Sequence, residues 1–79
     1  MDVEELRQRY NDGERDFSGI ELRDVDLSGI HLSYVIFHKA KLINVDLSKS
    51  NLSKADLSEA DLTGSNLNDA ELEAANLRN

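Results

Sequence analysis

Five serines recur at regular intervals, and their hydroxyls are the groups that could act as nucleophiles. A serine attacks a substrate only when a general base lies within hydrogen-bond reach. No histidine and aspartate are spaced to build a triad with any of the five. Short hydroxyl side chains also stabilise turns by bonding to nearby backbone groups, and this interpretation is favoured. The serines are Ser28, Ser33, Ser48, Ser53 and Ser58.

Two histidines and one pair of aspartates could bind a metal ion. His31 and His38 flank no carboxylate pair at metal-ligand spacing, so no metal site is predicted there. Asp26 and Asp46 are separated by twenty positions, which the period described below places in one column, and Ca²⁺ can sit between such carboxylates. The favoured interpretation is that both are turn residues bonded to the backbone. A bound cation is the alternative.

Composition excludes further kinds of site. The chain has no cysteine, so disulfides and thiolate metal sites are excluded. Its glycines form no phosphate-binding pattern. We therefore expect a protein that is not an enzyme and uses no cofactor. Apolar runs of two or three residues are too short to span a bilayer, which favours a cytoplasmic protein.

The elements that position these side chains follow a period of five. From position 17 every fifth residue is Leu or Phe, and two places before each lies a small or apolar residue, with Arg15 as the exception. This period fits neither a flat strand nor an α-helix. The large residues are Phe17, Leu22, Leu27, Leu32, Phe37, Leu42, Leu47, Leu52, Leu57, Leu62, Leu67, Leu72 and Leu77.

A short extended segment followed by a turn, once every five residues, directs both apolar positions inward. Four such segments close a square coil of about twenty residues, and coils stack at ~4.8 Å. Phe17 and Phe37 then share a column, where their rings can stack with an offset. The first face holds Phe17, Phe37, Leu57 and Leu77; the second Leu22, Leu42 and Leu62; the third Leu27, Leu47 and Leu67; the fourth Leu32, Leu52 and Leu72.

The repeat resembles a known family. Its clearest units are Ala55-Asp56-Leu57-Ser58-Glu59 and Ala60-Asp61-Leu62-Thr63-Gly64, which match the motif A(D/N)LxX of pentapeptide-repeat proteins. The resemblance implies an all-β solenoid, a right-handed quadrilateral β-helix of about three coils. It implies no common activity, because fold and function are only loosely linked. The opening residues 1–10 and 13–17 resemble short cyanobacterial members of the family.

The N-terminal residues break the period and predict a short helix. Asp2 can cap it, Val3, Leu6 and Tyr10 fall on one face, and Gly13 follows as a stop. We expect the helix to cover the first coil and to keep its edge from pairing with another chain. The domain boundaries follow: a capping helix and connector over 1–14, and a single repeat domain over 15–79.

At the C-terminal end the repeats run to Leu77 without an equivalent cap, so the last coil is expected to expose its leucines and unpaired backbone groups. This predicts an association surface and a tail-to-tail homodimer, with a frayed monomer as the alternative. Family dimers built through C-terminal coils resemble this arrangement, but they often carry a terminal helix that is missing here. The surface consists of Leu62, Leu67, Leu72 and Leu77.

The net charge of the chain and the apolar residues expected at its surface indicate which kind of partner it could bind. The net charge of -7 argues against direct binding to nucleic acid or an anionic membrane. Residues 55–77 contain carboxylates and no Lys or Arg. In the second coil, apolar or aromatic residues occupy positions that should face water, which predicts a protein-binding patch or scattered surface residues. These are Tyr34, Ile36, His38 and Ile43.

Three functional hypotheses remain open. The first is a non-catalytic protein-interaction or structural module with an unknown protein partner. The second follows from the family resemblance, whose quinolone-resistance members resemble duplex DNA and bind DNA gyrase. Roughly three and a quarter coils at ~4.8 Å give only about 16 Å, so this alternative requires the tail-to-tail dimer. The third is an accessory protein that binds a cation.

Overall fold

The computed structural model describes residues 1–78. It contains one helix, α1 (Val3–Asn11), and two short strands, β1 (Glu21–Arg23) and β2 (Lys41–Ile43). The strands pair in parallel, with Leu22 opposite Leu42. Elsewhere in this part of the chain, the bridges between coils are single residue pairs, because each extended segment lasts only a few residues before the next turn.

The bridges set the register of the stack. All of them are parallel, and each joins residues twenty positions apart. Asp16 bridges Ile36, Ile36 bridges Asp56, and Asp56 bridges Asn76, so one column runs along the whole stack. The offset equals the coil length expected from the period of five. The other three columns are Glu21, Lys41 and Asp61; Asp26, Asp46 and Asn66; and His31, Asn51 and Glu71.

Leu and Phe side chains fill the interior. From Phe17 to Leu57, every residue of this ladder is at most 2% exposed. Burying one such side chain stabilises the fold by roughly 1.5–3 kcal/mol, so this ladder is the main source of stability. The ring centroids of Phe17 and Phe37 lie 6.2 Å apart at an interplanar angle of 53°. The two rings therefore pack tilted, and not in the offset stack expected from the sequence.

The corners are held by short polar side chains. Asp46 Oδ1 accepts hydrogen bonds from the Ser48 backbone N–H at 3.0 Å and from the Ser48 hydroxyl at 2.7 Å. Such bonds stabilise a turn locally, which explains the recurring Asp or Asn and Ser of the repeat. The same backbone bond forms at Asp16, Asp26, Asn51, Asp56, Asp61, Asn66 and Asn76.

Helix α1 covers the first coil. Asp2 caps it by accepting a hydrogen bond from the Glu5 backbone N–H at 2.8 Å. Leu6 is fully buried in the core, and Tyr10 donates its hydroxyl proton to the Ser33 carbonyl at 2.8 Å. The Arg15 guanidinium lies 3.7 Å from the centre of the Tyr10 ring. The predicted helix is present, and Arg15, the exception in the repeat, joins it to the coil.

The last coil is less covered than the others. Leu62, Leu67 and Leu72 are half-buried, and Leu77 is 53% exposed. In earlier coils the N–H groups at equivalent positions donate to the coil below. Among the described residues, the N–H groups of seven positions in the last coil have no such partner: Leu62, Gly64, Leu67, Asp69, Leu72, Ala74 and Leu77.

Candidate interaction surfaces

Four of the five candidate nucleophilic serines serve the turns, whereas the Ser33 hydroxyl lies 3.5 Å from the Tyr10 hydroxyl. The hydroxyls of Ser48, Ser53 and Ser58 donate to the Asp or Asn two positions earlier, at 2.5–2.7 Å. Ser28 makes the same turn through its backbone N–H. These bonds point the hydroxyl protons at fixed carboxylate or amide oxygens, as the turn interpretation requires.

One contact between a histidine and a serine was missed from the sequence. His38 Nδ1 lies 2.7 Å from Ser58 Oγ, and that hydroxyl donates to Asp56 Oδ1 at 2.5 Å. Because the serine proton is directed at Asp56, His38 must donate to Ser58 and cannot act as its base. Hydrogen bonds from Ser58 lower the pKa of Asp56, and the electrostatic effect of the nearby His38 lowers it further. The arrangement links two coils. The twenty-residue separation of His38 and Ser58 was the available signal.

Asp26 and Asp46 occupy bridged positions in neighbouring coils. Each accepts the backbone N–H two residues later, so each carboxylate serves its own turn. Hydrogen bonds from Ser28, together with the charge of Arg7, lower the pKa of Asp26. Within residues 1–78, no three metal-binding side chains are grouped closely enough to hold an ion.

The predicted apolar patch spans three parts of the second coil. Tyr34 is 58% exposed at the corner between the fourth and first faces. Ile36 and His38 lie half-buried on the first face, and Ile43 lies half-buried on the second. Lys54 donates to the Tyr34 hydroxyl at 3.1 Å and lies 5.3 Å from the centre of its ring. The four predicted residues are therefore neighbours along one coil, although they do not share one plane.

Charge varies along the stack in a way that the sequence analysis did not recognise. Residues 27–45 contain no Asp or Glu, whereas carboxylates are frequent on both sides of this segment. Lys39 and Lys41 lie within this segment, and Lys49 and Lys54 follow it. In the described part of the chain, the ion pairs involve Arg9 and Arg23 only, so none of these lysines is neutralised by a direct ion pair.

A small cavity lies between helix α1 and the first coil. Its volume is about 230 Å³. Arg7, Tyr10 and Asn11 line it from the helix, and residues 29–32 line it from the coil. The backbone N–H of His31 donates to no other described residue, because no coil lies above it. The cavity therefore combines the side chains of Arg7, Tyr10 and His31 with an open strand edge.

Comparison with known proteins decides the family. The family model for pentapeptide repeats matches residues 16–48 and 40–79. The chain belongs to the pentapeptide repeat family. This membership agrees with the repeat motif and with the twenty-residue register of the bridges.

Solved structures of other pentapeptide repeat proteins are similar to this one. HetL from the cyanobacterium Nostoc, involved in heterocyst differentiation regulation, is 37% identical with a TM-score of 0.82, and the match covers 99% of this chain and 35% of HetL. Rfr23 from the cyanobacterium Cyanothece is 23% identical with a TM-score of 0.43, covering 77% and 58%. A protein from the Arabidopsis thaliana thylakoid lumen is 37% identical with a TM-score of 0.35, covering 77% and 49%.

This pentapeptide repeat protein thus spans about a third of HetL and about half of the other two. No curated protein sequence matches it. Along the described residues, no helix has the length and apolar character needed to cross a membrane.

Proposed function

We propose that this pentapeptide repeat protein is a non-catalytic protein-interaction module, folded as a right-handed, four-sided β-helix and acting in the cytoplasm. The observation that carries the proposal is the repeated use of serine hydroxyls and aspartates as turn partners. The hydroxyls of Ser48, Ser53 and Ser58 are held in hydrogen bonds to Asp or Asn oxygens. The corners instead present side chains in fixed rows, which suits recognition of another protein.

The apolar patch, defined as Tyr34, Ile36, His38 and Ile43, is the proposed contact surface. Aromatic and apolar side chains are enriched where proteins bind one another. HetL is involved in regulation of heterocyst differentiation, and its 37% identity over almost the whole of this chain supports a regulatory role for the module. The role is carried by contact with a protein partner.

The test is chemical cross-linking in cell extract with the double variant Ile36→Ser/Ile43→Ser. The matched control is Ser28→Ala/Asn68→Ser, which changes two outward positions on the third face. We expect wild type and control to capture the same partner and the patch variant to lose it, with unchanged circular dichroism. Equal capture by all three proteins would remove the patch as the contact surface. Unfolding of the patch variant would show that the isoleucines are structural.

A second proposal is a tail-to-tail homodimer through Leu62, Leu67, Leu72 and Leu77. The exposed Leu77 and the unpaired N–H groups of the last coil favour it, because an open edge can pair with another chain. The gyrase alternative is weaker, since a mimic of duplex DNA needs continuous negative charge. Residues 27–45 interrupt that charge.

A further inference from the structure

We infer that the fourth face binds an extended acidic segment of a partner protein, with one carboxylate directed into the cavity under helix α1. This inference goes beyond the proposed function, because it assigns a face other than the apolar patch and a partner chemistry. The cationic face is defined as the first two coils of the fourth face with their two lysine corners: His31, Ser33, Lys49, Asn51, Ser53 and Lys54.

The cationic face carries no carboxylate of its own. His31 and Asn51 are bridged, and the Tyr34 N–H donates to the Ser53 carbonyl, which stacks Ser33 near Ser53. Lys49 and Lys54 stand at its two corners, exposed and without an ion pair to any described residue. Its lower boundary is Glu71, the next member of the His31 column. The positive charge of this face therefore lies in its second coil alone, and the third coil carries Glu71 and Glu73, of which Glu73 is close enough to interact with Lys54.

Dimensions fit a peptide strand. Lys49 and Lys54 are five residues apart along the chain, so they are separated by at most about 17 Å of backbone. In an extended peptide, alternate side chains point the same way every ~6.7 Å, so two or three carboxylates can face the two lysines and the groups between them. The Tyr34 hydroxyl accepts a hydrogen bond from Lys54, which holds one ammonium at its corner.

The cavity lies beside such a strand, above the first coil on the same face, where a side chain that points towards helix α1 can reach it. At about 230 Å³ it is smaller than a pocket for a whole ligand, but it can admit a single side chain. Arg7 lies exposed at its rim, and its charge already lowers the pKa of Asp26, so its field reaches neighbouring carboxylates. The free backbone N–H of His31 can donate a hydrogen bond to a carboxylate oxygen.

A nucleic acid fits the surroundings less well than a peptide. Duplex DNA carries a phosphate charge about every 1.7 Å along its axis and would extend beyond the two corners. The third face carries Asp26 and Asp46, and the first carries Asp16 and Asp56. These carboxylates would repel the flanking phosphates, whereas a single strand of peptide stays between them.

The test uses fluorescence anisotropy at low ionic strength with a fluorescein-labelled heptapeptide that alternates glutamate and serine. The double variant Lys49→Gln/Lys54→Gln is compared with Lys39→Gln/Lys41→Gln, which changes net charge equally on other parts of the same coil. Lys41 lies between Glu21 and Asp61 in one column, so its charge already faces two carboxylates of this protein. Lys49→Gln alone is a second variant, because this side chain makes no hydrogen bond to described residues.

We expect the Lys49→Gln/Lys54→Gln variant to raise the Kd by about fivefold and the control pair to raise it by less than about twofold. Replacing glutamate by glutamine in the peptide should abolish saturable binding. Equal weakening by both double variants would show that only net charge matters and would overturn the inference. Tighter binding of a short DNA duplex, or no saturable peptide binding, would overturn it as well. Ile36→Ser/Ile43→Ser should leave peptide binding unchanged, which separates this test from that of the apolar patch.

Discussion

Replacement of Leu47 by Ala should be much more costly than the same replacement at Leu67. Both residues lie on the third face at the same repeat position, one coil apart. Leu47 is 0% exposed, whereas Leu67 is half-buried in the last coil. The pair therefore compares one chemical change in two environments and measures how much the open end weakens the core.

The magnitudes follow from burial. Leu→Ala removes three carbons, worth about 0.8 kcal/mol each on burial, and a closed site adds a cavity cost, so Leu47→Ala should lose about 3 kcal/mol. At Leu67 the carbons are partly hydrated and any cavity opens to solvent, so the loss should be about 1 kcal/mol. A chain of this size has about 4–12 kcal/mol of total stability, which makes both losses measurable.

The assay is urea unfolding followed by circular dichroism, with unchanged slope as the check that only stability has changed. Each variant is measured at two protein concentrations. Equal losses at the two sites would refute the reasoning that the last coil is less covered. Equal losses that appear only at high concentration would instead show that a second copy covers Leu67.

Two further predictions concern pH and salt. Hydrogen bonds from the Ser or Thr two residues later lower the pKa of Asp16, Asp26, Asp56 and Asp61, so these carboxyls bind fewer protons when folded. The stability that these carboxyls contribute should be complete above about pH 5 and should be lost as the pH falls through 4 towards 2. The measurement is the urea midpoint of unfolding across this pH range. A midpoint that does not change with pH would contradict the prediction. The tail-to-tail dimer would join two acidic coils, and salt screens the repulsion between them. Because the screening length falls from roughly 14 Å at 0.05 M salt to about 3 Å at 1 M, light scattering should find more dimer at 1 M. More dimer at low salt would contradict this geometry.

The periodic part of the fold could be predicted from the sequence because its signal is one-dimensional. A Leu or Phe every fifth residue fixes which side chains face inward, and twenty residues per coil fixes which ones become neighbours. The observed bridges, such as Asp26 with Asp46, have this offset. Helix α1 was also predictable, since Asp2 and Gly13 mark its ends.

The contacts that depend on side-chain conformation could not be predicted in the same way. The tilt of the Phe17 and Phe37 rings depends on the space left by neighbouring side chains, and a period carries no such information. The bond between His38 and Ser58 requires a particular rotamer across two coils. The cationic face was missed because Lys49 and Lys54 look like ordinary surface residues of the repeat, and only the bridge between His31 and Asn51 shows which residues of the first coil share their face.

The constant offset of the bridges has a consequence for how such a protein can change during evolution. Insertion of twenty residues, one whole coil, would lengthen the stack and leave every later side chain on its original face. Insertion of five would keep the ladder of leucines intact but would turn all later residues by one face. Both changes keep a Leu or Phe at every fifth position, so a single duplicated repeat can recombine surface charges while the inward-facing ladder is kept. Lys49, for example, would move from one corner to the next and meet a different set of neighbours.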